Sequence, residues 1–250
     1  MDIQKSFSYQ FEDTEWISKL GLGAVITLVP VLNFAWSGYM VGIIRNVLDG
    51  AARPLPAWDD LGKRFTDGLI LAAAGLIYAL PILLLVGIPT VFLVFAGVLS
   101  GNQDLQGVSQ ALAGVGGVVF FALLCVVILY ALALSIVYPV ILLVYAREGT
   151  FASCFQFRRI LDLISKNSGP FLTLWGVSLA AGLVVGMVVS LATALVGWVP
   201  CVGWAAAMIL SLGSGVYYTS IHAHLVGQFG TLAADPPSSI TNQDNSPAVV

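Results

Sequence analysis

Residues 69–99 and 111–146 contain no Asp, Glu, Lys, Arg or His at all. This constrains the fold more than any other feature. A helix rises 1.5 Å per residue, so about 20 apolar residues cross the ~30 Å hydrocarbon core of a bilayer. Each run exceeds that length, and the polar SGNQDLQGVSQ between them sets the pair up as a helical hairpin. Residues 118–143 alone carry 18 Val, Ile, Leu or Phe, each favouring insertion by roughly 0.3–0.6 kcal/mol at a helix centre. Pro81, Pro89 and Pro139 are the kink candidates.

Composition agrees. The chain is 58% hydrophobic and 9% charged, against about 45–50% apolar for a soluble domain. A net charge of −3 without a basic cluster excludes nucleic acid as a partner. Cys125, Cys154 and Cys201 lie far apart and read as structural. The opening MDIQKSFSYQFEDTEW mixes acids with aromatics, unlike a cleavable signal, so the first apolar segment is expected to be retained.

Residues 170–226 form a third apolar stretch, too long for one crossing and interrupted at GWVPCVGW, where Pro200 and two glycines mark a turn. Residues 17–44 are ambiguous, with Pro30 and Asn33 mid-segment. An internal repeat bears on them: VPVLNFA (29–35) matches VPCVGWA (199–205), and SGYMVGIIRNVLDG (37–50) matches SGVYYTSIHAHLVG (214–227). The repeat predicts a short hairpin, 13–28 and 32–48, capped by Asp13 with Lys19 snorkelling. At about 24 Å each, these helices are short enough to be re-entrant.

The expectation is an all-α, polytopic transmembrane helical bundle of about six spans in three hairpins (the alternative is five). Residues 1–230 form one membrane domain and 231–250 a disordered tail. All ten basic residues then fall on one side, in the N-terminal segment and the loops 45–67 and 147–168. The positive-inside rule makes that side cytoplasmic, with both termini there.

Each cytoplasmic loop carries an amphipathic pattern. Trp58, Leu61 and Phe65 oppose Asp59, Asp60, Lys63 and Arg64; Phe151, Cys154, Phe155, Ile160, Leu161 and Ile164 oppose Arg158, Arg159, Asp162 and Lys166. Aromatic and basic faces of this kind suit helices lying in the headgroup layer, so membrane lipid is the expected partner, with a protein partner at the same loops as an option.

Chemistry is sparse. Asp59 and Asp60 are adjacent and diverge on a helix, which favours capping over catalysis; with Arg45 and Asp49 they suggest a surface ion-pair network. His222 and His224 point to different faces and do not suit a metal. Ser135, Ser178, Ser190 and Ser211, with Gly114, Gly116, Gly117, Gly182 and Gly186, read as helix-packing positions. No catalytic, cofactor or metal site is assigned, and no enzyme activity is expected.

The order of SFSYQFEDTEWISKLGLG, LVPVLNF, GYMVGIIRNVLDG, LPAWDDLGKRFTDGL and GLIYALP, over residues 6–82, resembles the prokaryotic membrane proteins grouped as domain of unknown function 4013. The resemblance implies a bacterial or archaeal cytoplasmic-membrane protein and lends no catalytic residues. The leading functional expectation is a scaffold, accessory or lipid-associated module. Its rival is a transporter or channel for a neutral or amphiphilic solute.

Overall fold

A computed structural model describes residues 1–199 and 201–233. The described residues form eight α-helices: α1 Ile3–Ser8, α2 Trp16–Leu28, α3 Asn33–Leu48, α4 Leu61–Leu99, α5 Gln106–Glu148, α6 Phe157–Lys166, α7 Ser168–Val196 and α8 Val202–Leu232. Short 3₁₀ turns precede α2, α5 and α6. Three elements, α4, the 3₁₀ turn with α5, and α7, are long and apolar enough to cross a membrane. Pro81, Pro89 and Pro139 lie inside continuous helices. Pro200 and most of the expected tail, residues 234–250, lie outside the described residues.

The ambiguous first segment breaks at residues 29–32 into α2 and α3, as the Val-Pro repeat predicts. The repeat is inexact at its other end. Gly50, at φ +70°, follows the end of α3, with Gly50 N–H donating to Val47 and Ala51 N–H to Asn46. Its counterpart Gly227 lies inside α8, which continues to Leu232.

α3 is the hub. It packs against α2, α4, α5 and α8, and Tyr39, Val41, Ile43 and Ile44 are all fully buried. Two glycines set its approach to α4. A Cβ on Gly38 would fall on the Arg64 carbonyl, and one on Gly68 on the Phe34 carbonyl. The two backbones therefore touch, which only residues without a side chain permit. On the opposite flank a Cβ at Gly227 would come within 2.6 Å of Val47, so α8 also seats closely.

These contacts give the registers. α3 and α4 are antiparallel, Phe34 meeting Gly68 and Gly38 meeting Arg64. α3 and α8 are parallel: the Trp36 indole donates to Thr219 Oγ1, and Gly227 meets Val47. α4 pairs with α5 down to Ser109, whose hydroxyl donates to the Ala96 carbonyl. α7 pairs with α8, where Tyr218 donates to the Ser178 carbonyl. Residues 202–218 of α8 thus run about 25 Å past the level of Trp36, and residues 69–99 of α4 about 46 Å past that of Phe34.

The core consequently gathers at one end of the molecule. It combines α3 with residues 140–146 of α5, the C-terminal half of α8, Leu71 and Ala74 of α4, and Ile160 and Leu163 of α6. Beyond it the long helices turn apolar side chains outward, with Val118, Phe121, Leu183 and Met187 all more than 60% exposed.

Two local expectations are corrected. Residues 61–68 are not a separate surface helix but the first turns of α4, because nothing interrupts the helix after Asp60 accepts the Lys63 amide as its N-cap. Residues 151–166 are not one helix: the chain breaks at Gln156, which rotates the buried stripe to Ile160 and Leu163 and leaves Leu161 exposed.

The glycine contacts carry a prediction. Gly38→Ala or Gly68→Ala must push α3 and α4 apart and is expected to cost about 3 kcal/mol or more, read as a lowered thermal midpoint in detergent. Gly75→Ala, whose new methyl meets no atom within 4 Å, should be neutral or stabilising by up to about 1 kcal/mol.

Candidate functional site

One polar cluster of the core lies where α3, α4 and α5 meet. Arg45 of α3 donates to both carboxylate oxygens of Asp67, Nη1 to Oδ2 at 2.5 Å and Nη2 to Oδ1 at 3.4 Å. Its Nε donates to the Ala146 carbonyl at 3.0 Å, and the guanidinium lies 5.9 Å from the Tyr145 ring centroid. Tyr145 donates to Asp67 Oδ1 at 2.8 Å. Three helices are thereby tied through one buried carboxylate. Asp67, not Asp49, Asp59 or Asp60, is the partner of Arg45. The Gly38–Gly68 crossing lays that turn of α4 against α3, whereas Asp59 and Asp60 sit exposed before the helix and accept backbone amides.

Next to this tie an open cleft of about 620 Å³ is lined by Arg45, Asp49, Arg147, Glu148 and Arg159. Arg147 donates to the Gly230 carbonyl at 2.7 Å, anchoring the end of α8, and Arg159 pairs with Glu148. α5 ends here at Gly149, whose φ of +69° lets its amide reach the Tyr145 carbonyl.

A second cluster joins the N-terminal segment to the loop after α3. Lys19 reaches Asp13 at 2.7 Å and the Leu55 carbonyl at 3.4 Å, so it does not extend away from the protein. Asp13 does not cap α2, which starts at Trp16; it accepts the Glu15 amide across a turn. Burial disfavours the charged Asp13 carboxylate. The hydrogen bonds from Lys19 and the Glu15 amide, with the charges of Lys19 and Arg53, outweigh that and hold its pKa below the usual carboxylate range. Trp58 is folded onto the protein: its indole donates to the Lys19 carbonyl and its ring stacks on Tyr39 at 4.5 Å, with Trp36 next in the stack. Leu55 is buried beneath, and Asn46 fixes the Pro54 carbonyl. The proline-rich stretch is a joint folded onto the protein.

His222 and His224 do separate. His222 Nδ1 lies 3.0 Å from Ser178 Oγ on α7. His224 Nδ1 lies 3.0 Å from Ser6 Oγ, with Tyr9 stacked on its ring at 4.2 Å. Tyr9 and Gln10 hold the Ser220 carbonyl and hydroxyl. Helix α1 thus docks on α8, a role for Ser6, Tyr9 and Gln10 missed in the sequence, where the only signal was the density of polar and aromatic residues before Trp16.

Of the small residues, Ser178, Gly116 and Gly182 mediate helix contact, Gly116 against Phe92 and Leu93 and Gly182 against Tyr218. Gly114, Gly117 and Gly186 face open space. Ser135 bonds within its own helix. Cys154 is buried, which raises its thiol pKa, while Cys125 and Cys201 are exposed.

Two apolar grooves flank the core. One, about 500 Å³, runs between α4, α5 and the start of α6, bounded by Ile77, Tyr78, Tyr130, Val137, Phe155 and Phe157. Tyr78 donates to the Cys154 carbonyl and Tyr130 to the Tyr78 carbonyl. The other, about 490 Å³, separates α2 from α8 between Trp16, Gly21, Ala24, Gly213 and Tyr217.

Removing the Asp67 charge leaves Arg45 without its carboxylate. Asp67→Asn is expected to cost about 3 kcal/mol or more and Tyr145→Phe about 1 kcal/mol, and a double-mutant cycle of thermal midpoints should show them coupled. Asp13→Asn tests the second cluster. A carboxyl with a lowered pKa stabilises above its unfolded value near 4, and that contribution disappears as pH falls through the lowered pKa. Wild type should lose stability relative to Asp13→Asn below pH about 4, and the variant should be about 3 kcal/mol weaker at pH 7.

Comparison with known proteins adds a family and no activity. Nothing among curated proteins or solved structures matches the chain. The model of one family, described as a protein of unknown function (DUF4013), matches residues 22–194, well past the N-terminal motifs that carry the resemblance in the sequence. With more than half its length matched, and with the Val-Pro turn, the α3–α4 crossing and the α4–α5 hairpin inside the match, the chain belongs to the DUF4013 family.

Proposed function

We propose that this protein is a non-enzymatic, lipid-associated scaffold of the cytoplasmic membrane. In this reading α4, α5, α7 and α8 cross the bilayer, and the short α2–α3 hairpin dips into the cytoplasmic leaflet without crossing. The outward-facing apolar surface of the long helices carries the reading. Leu, Val, Ile and Phe exposed along α4, α5 and α7 make a surface far larger than a water-soluble protein tolerates.

Depth follows from register. The 25 Å of α8 beyond Trp36 is close to one hydrocarbon thickness. Trp198 and Trp204, 78% and 76% exposed, stand at the α7–α8 turn where an interfacial aromatic belt is favoured. The tip of the α2–α3 hairpin, with exposed Val29 and Val31, then ends within the near leaflet. All ten basic residues lie at the core end, and among the described residues Asp104 is the only charge at the far turns. This arrangement supports a cytoplasmic core with both termini on that side.

The packed interior supports scaffolding over transport. Where α3, α5 and α8 meet, Tyr39, Ile43, Ile44, Leu143, Tyr145, Leu225 and Phe229 are each fully buried, filling the position a solute path would occupy.

Topology is testable by labelling single cysteines in intact cells, with Cys125 and Cys201 replaced. Gln103→Cys should react with a membrane-impermeant maleimide from outside. Val31→Cys should not. Labelling of Val31→Cys from outside would make the first hairpin a true pair of spans and refute the dip.

A further inference from the structure

Helix α6 has two apolar sides, and the core takes only one of them. Ile160 and Leu163 point into the core and are fully buried, while Phe157 and Leu161, one turn apart, are 54% and 57% exposed. At about 100° per residue, Leu161 lies between Phe157 and Arg158 around the helix, roughly 40° from the first and 60° from the second. Arg158 is itself exposed. The outer side of α6 therefore places a guanidinium at the edge of an apolar strip.

That strip continues onto the long helices. Phe157 stands edge-on to Tyr78 at 6.0 Å and lines the apolar groove with Ile77, Ala133, Leu134 and Val137. Those four belong to the charge-free runs 69–99 and 111–146, which the scaffold reading sets against acyl chains. Among the described residues Arg158 has no carboxylate partner: Glu148 pairs with Arg159, and Asp162 forms no ion pair with Arg158 or Lys166. A guanidinium in this position lays its aliphatic stem along apolar neighbours and its head among lipid phosphates. With Arg159 tied to Glu148, the remaining charges of α6 are Arg158 and Lys166 against Asp162, one net positive charge. That balance favours a headgroup of net negative charge over a zwitterionic one.

Resting on the lipid-embedded scaffold reading, we infer that the outer side of α6 is a contact site for an anionic phospholipid of the cytoplasmic leaflet. Phe157 and Leu161 lie against its acyl chains, Arg158 meets its phosphate, and Lys166 adds attraction for its net charge. Leu161, not Ile160, is then the branched aliphatic residue of α6 that touches lipid.

The test uses the full chain, with Cys125 and Cys201 replaced by serine and a fluorophore on Leu161→Cys, reconstituted into phosphatidylcholine vesicles. Phosphatidylglycerol or phosphatidylcholine bearing a nitroxide at the same acyl position is then added in steps. Both carry the phosphate and differ in net charge. Both should quench the fluorophore, and phosphatidylglycerol should reach half-quenching at about fivefold lower mole fraction. Arg158→Gln with Lys166→Gln, both exposed positions, should abolish that difference while phosphatidylcholine still quenches. Absence of quenching by either lipid, equal quenching with Arg158 and Lys166 intact, or a difference that survives the double substitution would overturn the site. The same fluorophore on Phe121→Cys, a residue of α5 that is 70% exposed, tells that failure from a failure of the scaffold reading. Quenching there leaves the reading intact whatever happens at Leu161, and its absence would overturn the reading itself.

Discussion

The backbone contact of α3 with α4 at Gly38 and Gly68 is the constraint on which the structure depends. A helix of 16 residues gains little in isolation; its stability comes from the faces it buries. α3 buries its whole circumference, and that requires a neighbour to approach with no side chain between. Once α4 lies against α3, Asp67 comes within reach of Arg45 and Tyr145, and the Arg45–Asp67 pair draws in the end of α5. α8 closes the opposite flank through Gly227. The buried ion pair is worth little as net stabilisation, since desolvation offsets much of its attraction. Its contribution is to fix which turns of three helices face one another.

Much of this was legible in sequence because hydrophobicity and turn chemistry are local signals. The α4–α5 hairpin followed from two charge-free runs around a polar turn. The α2–α3 break followed from matching Val29 to Val199. What escaped was set by tertiary contact. Nothing local says that Arg45 pairs with Asp67, 22 residues away, in preference to Asp49 four residues away. Trp58 has the composition of an interfacial anchor, and only the loop folding back onto Tyr39 turns it inward. Residues 61–68 turn Arg64, Asp67 and Gly68 toward α3 and leave Leu61 exposed, so their apolar pattern does not mark the buried side.

The internal repeat acquires a physical meaning from the registers. α3 and α8 follow matching Val-Pro sequences and pack side by side in parallel, but α8 begins about 25 Å further out. One sequence pattern thus supplies both the central helix of the core and a helix that continues past it. In the shared half of α8, His224 and Ser220 receive the N-terminal segment. Its outer half carries apolar side chains and the exposed Trp204.

The central claim is that α3, though short, is the most enclosed helix of a core lying at one end of the molecule. Hydrogen–deuterium exchange of the protein in lipid nanodiscs tests it directly. The account predicts that amides of residues 37–45 exchange as slowly as those of residues 140–146 and 221–227, and far more slowly than those of α2. Exchange of α3 at the rate of α2, with the other two segments still protected, would contradict it.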